Sequence, residues 1–323
     1  MFTNSTIMKR ILFITLICIL AVSCGKKSDI TTIGYLQIAQ DPSLDNAKES
    51  FFKALKDSGF INGTNIKILD NNAQGDMSMI PTILQSFISQ NVDIIVTNGT
   101  PCMISASQMV KEIPVVFTVS FSPKDMGIKT VPDNIYGVYD SYNVSKFADL
   151  ITSLIPNIKT VGLPYNNSER NAEFSAKRII SELTKRNIYV MTASVNNTND
   201  IINAGNYLKD KRVEAIIIAA DNVVNLGQGI LGKICCENKI PFFVTEPMNS
   251  AEGAAIGYGI SYKHWGYQSG LKVIDLIKGR TIPEDEKIVP LKNMTLLINN
   301  YTAKKQGLSI PDSLIKKADK ILH

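Results

Sequence analysis

Histidine is scarce in this chain. Its 323 residues hold two, His264 and the terminal His323. A His-rich metal centre or a Ser-His-Asp machine would have to rest on His264 alone. Cysteine is sparse too: five residues, with no Cys-x-x-Cys among them. Cys235 and Cys236 are adjacent, and adjacent cysteines rarely bridge, because a disulfide needs separated Cα atoms and converging Cβ vectors. With Cys102 they read as buried apolar thiols, so the fold rests on no disulfide framework. A large excess of one charge is also missing. The chain has 34 Lys and Arg against 29 Asp and Glu, a net +5. Lys9 and Arg10 lie in an acid-free opening of 23 residues, which leaves about +3 for the rest. That is too mild to argue for nucleic acid. There is no G-x-x-x-x-G-K-[ST], H-E-x-x-H or G-x-S-x-G. Gly227, Gly229 and Gly232 do fit G-x-G-x-x-G, but Gly227 comes about seven residues after the preceding strand ends near Ala220. A dinucleotide turn needs its first glycine directly after the strand. Neither cofactor nor metal is expected.

One apolar run stands out, ILFITLICILAV over residues 11–22. Its 12 residues fall short of the roughly 20 that span a bilayer as a helix. A basic start, a short apolar run and then small residues make an export signal. The stretch Ala21-Val22-Ser23-Cys24-Gly25 resembles a bacterial lipobox, with Ala21 where Leu is usual. That resemblance implies lipidation of Cys24, a signal peptide over 1–23 and a tether over 24–30.

Beyond the tether, strand-like and helix-like segments alternate. Strands are expected at 31–38, 65–72, 92–99 and 113–119, with helices at 44–58, 76–90 and 101–111 between them. The scheme then repeats. Strands are expected at 160–166, 187–195, 213–222 and 240–246, and helices at 168–186, 199–210 and 226–238. Gly34, Asp93 and Pro114 find counterparts in Gly162, Glu214 and Pro241, at offsets of 128, 121 and 127 residues. The expected fold is α/β: two similar, doubly wound parallel-sheet lobes joined by a multi-strand hinge. Ligands of open parallel sheets sit beyond the carboxyl ends of the strands. The residues there are rich in amides, hydroxyls and carboxylates and poor in nucleophiles or bases, which suits hydrogen bonding of a small polar ligand and not covalent chemistry.

At this point the segments IGYLQIAQDPSLDNAKESFFKALKDSGFINGTNI, NNAQGD, VDIIVTNGTP, IPVVFTVSFSP, GLPYNNSERNAEFS and LINNYTAKKQGLSIP resemble one family. It is that of the substrate-binding lipoproteins of ABC importers, and within it the group that includes tryptophan and other aromatic amino-acid binders. The resemblance covers roughly residues 31–323. It implies the type I periplasmic-binding-protein fold, with lobe one at 31–148 and 262–283 and lobe two at 149–261 and 284–323. It implies capture of a small amphipathic metabolite, an aromatic or other amino acid first, by hinge closure, and delivery to an ABC permease and its ATPase. The protein would be a monomer in the cell envelope, held to the membrane by its lipid and facing the periplasm or exterior. It would be no enzyme and would bind no nucleic acid. A ligand-binding receptor subunit for a membrane sensor, or an enzyme on the same scaffold, are the alternatives. Three motifs depart from the family pattern and bear on the ligand. Val119-Ser120-Phe121-Ser122-Pro123 stands for Val-Thr-Asp-Pro, Thr100-Pro101-Cys102 for Thr-Pro-Ala, and Tyr165-Asn166-Asn167 for Tyr-Asn-Pro.

The candidate ligand residues follow from strand ends and this resemblance together. Thr100 as an N-cap with Pro101 at the first helical position would offer free N–H groups to a carboxylate. Asp45 and Asp221 are candidates for an ammonium, and Asp140 for a ligand or hinge contact. Tyr165 and Asn166 would give a stacking face and an amide, and Phe121 an apolar wall. Gln37, Asn72, Asn98, Ser120, Asn222 and Glu246 complete the set. His264-Trp265 reads as a packed helix start.

Overall fold

The computed structural model describes residues 30–141 and 143–323. Cys24, the export signal and the tether up to residue 29 lie outside the described residues. The chain begins with β1 (Thr31–Gln37), α1 (Pro42–Asp57), β2 (Ile66–Asn72), α2 (Met79–Ser89), β3 (Ile94–Asn98), α3 (Thr100–Met109), β4 (Val115–Thr118) and β5 (Ile135–Asp140). It crosses into α4 (Val144–Leu154), β6 (Thr160–Tyr165), α5 (Arg170–Thr184), β7 (Tyr189–Ser194), α6 (Asp200–Asp210), β8 (Ala215–Ile218), α7 (Asn222–Leu226), α8 (Gln228–Asn238), β9 (Phe242–Val244) and β10 (Ile256–Ile260). It returns through α9 (Tyr262–Ile277), α10 (Glu284–Lys287) and β11 (Ile288–Leu291). It ends in β12 (Met294–Asn299), α11 (Asn300–Lys305), α12 (Asp312–Ile315) and β13 (Lys320–Leu322). No helix among the described residues is long and apolar enough to cross a membrane.

The first sheet runs β11-β5-β4-β3-β1-β2 and the second β13-β12-β10-β9-β8-β6-β7. Pairing is parallel throughout, except that β12 runs antiparallel to β10. β2-β1-β3-β4-β5 and β7-β6-β8-β9-β10 are the same doubly wound order, with the switch point between β1 and β3 and between β6 and β8. The repeat seen in the sequence is a repeat of function within the fold. Asp93 Oδ2 accepts from the Thr32 amide, and Glu214 Oε2 accepts from the Lys159 and Thr160 amides, each tying the entry of one strand to its neighbour. The Pro114 and Pro241 carbonyls both accept from the adjacent strand, from Ile95 and Ile216. Gly34 lies against the Phe87 ring and Gly162 against Leu208, where a Cβ would meet them at 2.7 and 3.0 Å.

Two boundaries differ from those read in the sequence. Residues 284–323 were expected to lie in lobe two, yet β11 pairs with β5 in the first sheet. The last crossing therefore falls at Lys292-Asn293. Residues up to 148 were expected in lobe one, yet Phe147 of α4 stacks on Tyr258 of β10. The helix expected over 226–238 is α8, and a separate short helix, α7, comes just before it where the strand was expected to run on to 222. They meet at Gly227, where a Cβ would come within 2.1 Å of Ile201 Cδ1.

The helix α9 belongs to lobe one and packs along α1. Its Gly266 and Gly270 let the backbones touch. A Cβ on Gly266 would sit 1.9 Å from the Ala47 carbonyl oxygen, and one on Gly270 2.7 Å from Ala54 Cβ. Val273 and Ile274 of α9 complete an apolar cluster with Ile33, Tyr35, Phe51 and Val96.

Candidate functional site

The cleft lies where the carboxyl ends of the two sheets face each other. Among the described residues, seven of each lobe line it. Lobe one gives Thr100, Val119, Ser120, Phe121, Asp140, Tyr262 and Trp265, and lobe two gives Asn171, Ala220, Asp221, Asn222, Asn225, Thr245 and Ile260. Its free volume is about 30 Å³, on a measure by which one water needs roughly 10–15 Å³. The lobes are therefore close together. Direct contacts bridge them. Phe121 rests against Phe174 of α5. Arg170 Nη1 donates to the Met126 carbonyl at 2.9 Å, and Ser43 Oγ to Glu246 Oε2 at 3.4 Å.

The lobe-one wall is built by tight turns. Gly99, at φ +113°, ends β3 and caps α3. Glycine is required there, since a Cβ would approach Ile38 Cγ2 to 2.6 Å. This corrects the expected cap. Gly99 is the N-cap, Thr100 the first helical residue and Pro101 the second, because only a glycine turns the chain this sharply at the strand's end. The first N–H groups of a helix have no partner within it, and no side chain caps those of α3, so they and the positive end of its dipole face the cleft end of β3. Val119, after β4, is held at φ +48°, a strained conformation for a β-branched residue. It turns Ser120 and Phe121 into the cleft.

Aromatic side chains form one wall. Tyr262 and Trp265, one turn apart at the start of α9, pack edge-to-face at 5.7 Å. Trp265 Nε1 donates to the Val138 carbonyl at 2.8 Å, which fixes the indole. Burial, then the nearby Glu246, Asp41 and Asp140 carboxyls, raise the Tyr262 pKa well above its ordinary value, so its hydroxyl keeps its proton.

The lobe-two wall is a network of carboxylates and amides. Asp221 caps α7: its Oδ1 accepts from the Val223 and Val224 amides, and its Oδ2 from the Asn166 amide at 2.6 Å. Glu169 Oε2 accepts from the Asn222 amide and from the side-chain nitrogens of Asn222 and Asn171. Burial, with the Asp221 charge beside it, raises the Glu169 carboxyl to about 7. Burial raises the Asp221 carboxyl as well.

Six of the residues named from the sequence line the cleft: Thr100, Ser120, Phe121, Asp140, Asp221 and Asn222. The others lie elsewhere. Gln37 and Asn98 turn into lobe one, where Asn98 Nδ2 donates to Gln37 Oε1 and to the Leu44 carbonyl. Gln37 Nε2 also donates to Asp45 Oδ1, so Asp45 serves this interior network. Asn72 Oδ1 accepts from the Gln74 amide in the turn after β2. Asn166 Oδ1 accepts from the Ser168 amide, closing the loop after β6. Tyr165 and Pro101 stand outside the lining, and Glu246 reaches across to Ser43. The sequence reading missed Glu169, Asn171, Asn225, Thr245, Tyr262 and the cleft face of Trp265. The Tyr262/Trp265 pair at helical spacing was the one local signal. Among the described residues no group of His, Cys, Asp or Glu could hold a metal.

The comparisons with known proteins agree with this architecture. A curated tyrosine-binding protein of Clostridioides difficile (strain R20291) is 31% identical over 287 residues, covering 87% of this chain and 83% of its own. A Streptococcus pneumonia domain solved in complex with L-Trp superposes with a TM-score of 0.84 at 25% identity, covering 91% of this chain and all of that one. The ligand-free, open structure of a substrate-binding protein with adhesive properties from Clostridium difficile gives 0.68 at 28% identity, covering 91% of this chain and 99% of that one. The model of the ABC transporter substrate binding protein family matches residues 32–322. The two parallel-sheet lobes have the type I periplasmic-binding-protein fold, and the chain belongs to the ABC transporter substrate-binding proteins.

Proposed function

We propose that the protein is the extracytoplasmic solute-binding component of an ABC importer and that its ligand is an aromatic amino acid, held in the cleft by closure of the two lobes. The observation that carries the ligand class is the pairing of one aromatic wall with two polar ends. Phe121, Tyr262 and Trp265 offer faces and edges to an aromatic side chain. The uncapped start of α3 suits a carboxylate. The acidic and amide-rich wall of lobe two suits an ammonium. The tyrosine-binding relative and the L-Trp complex support the same class.

Closure has its own support. The narrow cleft leaves no room for an amino acid to enter, so the lobes must part to admit one. The chain resembles the structure solved with L-Trp more closely than the open, ligand-free one, although its identity to the former is lower. Ligand bridging both walls favours the closed state by its differential contacts, and a permease with an ATPase would read that state. Lipidation at Cys24 would hold the protein, as a monomer, at the membrane's outer face.

The test is calorimetric titration of the purified protein, stripped of solute by unfolding and refolding, with the twenty amino acids, nucleosides and sugars. Saturable binding of tyrosine, tryptophan or phenylalanine, and of nothing else more tightly, is expected. Preference for a sugar or nucleoside overturns the ligand class.

A further inference from the structure

Asn171 is the second residue of α5 and is 5% exposed. The orientation of its amide follows from its neighbours. Its Nδ2 faces the Ala220 carbonyl oxygen at 3.0 Å and Glu169 Oε2 at 3.2 Å. Both are acceptors, so the nitrogen must face them and Oδ1 must face away. That oxygen is buried and accepts no hydrogen bond among the described residues. Asn171 lines the cleft. A buried acceptor without a donor is unfavourable and calls for an explanation.

Asn222 is set the same way. Its Nδ2 donates to Glu169 Oε2 at 2.8 Å, so its carbonyl oxygen is the end turned from Glu169. One carboxyl group thus pins two amide nitrogens and turns both amide oxygens away from itself. The charge that lines the cavity is of one sign: Asp140 and Asp221 line it, and among the described residues no Lys, Arg or His does. A wall of acceptors beside carboxylates matches a donor that carries positive charge.

We infer that Asn171 Oδ1 accepts a hydrogen bond from the ligand's primary ammonium group, and that Glu169 is a positioning residue that fixes this oxygen by holding the amide nitrogens of Asn171 and Asn222. This rests on the amino-acid reading above and adds the ligand's orientation: ammonium on lobe two, carboxylate on lobe one. Asp221 shapes the field of the subsite, while its two oxygens serve the α7 cap and the Asn166 amide.

The test pairs L-tyrosine, L-tryptophan and L-phenylalanine with their deamino analogues, the corresponding 3-arylpropionates, in calorimetric titrations. The wild-type protein should bind at least one amino acid and prefer it to its analogue by about 100-fold or more. Asn171→Leu, similar in shape but without the acceptor, should lose about 10- to 100-fold for the amino acid, the range for a hydrogen bond to a charged group. Its affinity for the analogue should hold within about threefold, so the discrimination collapses. Glu169→Leu should reproduce that loss, and Glu169→Gln, which keeps an acceptor facing the two amides, should restore the discrimination. Asn171→Ser replaces Asn171→Leu if the latter fails to fold. Equal losses for amino acid and analogue, or none, overturn the subsite while the amino-acid reading stands. A wild-type protein that binds the analogue as tightly as the amino acid does the same. Binding of no amino acid at all overturns both.

Discussion

The Phe121 ring in lobe one meets the Phe174 ring in lobe two edge-on, with centroids 4.9 Å apart. The contact joins the two lobes without needing a ligand. An edge-to-face aromatic pair contributes about 0.5–1.5 kcal/mol beyond the area it buries. Phe174→Ala should shift the unliganded protein toward the open form and weaken ligand binding about 2- to 10-fold. Small-angle X-ray scattering of the unliganded variant should give a larger radius of gyration than wild type. An unchanged radius and affinity would mean the pair contributes nothing to closure.

Glu169 makes folding stability depend on pH. Burial beside Asp221 raises its carboxyl to about 7 in the folded protein, against about 4.3 in an unfolded chain. Between these values the native state holds a proton that the unfolded state has released. Stability therefore falls as pH rises from about 4.5 to about 7. Thermal melts of the unliganded wild type across that window should show a decline that Glu169→Gln flattens. Parallel profiles for the two proteins would refute the assignment.

Gly266→Ala sets helix propensity against sterics. Alanine is worth about 1 kcal/mol over glycine inside a helix. Here its methyl would fall 1.9 Å from the Ala47 carbonyl oxygen, and backbone cannot yield as a side chain can. The clash wins, and α9 must move off α1 at a net loss of about 1–3 kcal/mol. Urea denaturation should show a lower midpoint. A stabilised variant would show that the two helices have slack between them.

Trp265 is the chain's single tryptophan, and it lines the cleft. Its emission should change in wavelength or intensity as L-tyrosine or L-phenylalanine binds, with no background from other indoles. Trp265→Phe should abolish the signal while calorimetry still detects binding. Saturable binding in the wild type without any optical change would place the ligand away from α9.

The two-lobe plan is legible because strands buried on both faces leave short apolar runs that recur at nearly constant offsets in the two halves. Asp93-Ile94-Ile95-Val96 and Glu214-Ala215-Ile216-Ile217 are the clearest, and the acid that opens each run ties down a neighbouring strand. The site is legible only in part. Being at a strand end tells which residues reach the cleft's edge, and not which way each side chain turns. Gln37 and Asn98 satisfy each other inside lobe one, where Asn98 also holds the Leu44 carbonyl. Asn171 takes its orientation from Ala220, 49 residues further along, so nothing local announces it. The affiliation of β11 is hidden for a similar reason: four residues with a proline read as a linker, and only pairing with β5 makes them a strand.

The placement of α9 against α1 also governs the order in which the chain can fold. The cluster that holds Ile33, Tyr35 and Phe51 is finished by Val273 and Ile274, and the edge of the same sheet by Ile288–Leu291. An emerging chain cannot complete its first lobe until nearly all of the second has been synthesised. The amino-terminal half therefore stays unfinished, with one face of α1 bare, for most of translation. A chain in that condition is still free to pass through a narrow channel or be held by a chaperone, and the late segment that joins the lobes is also the one that ends this window.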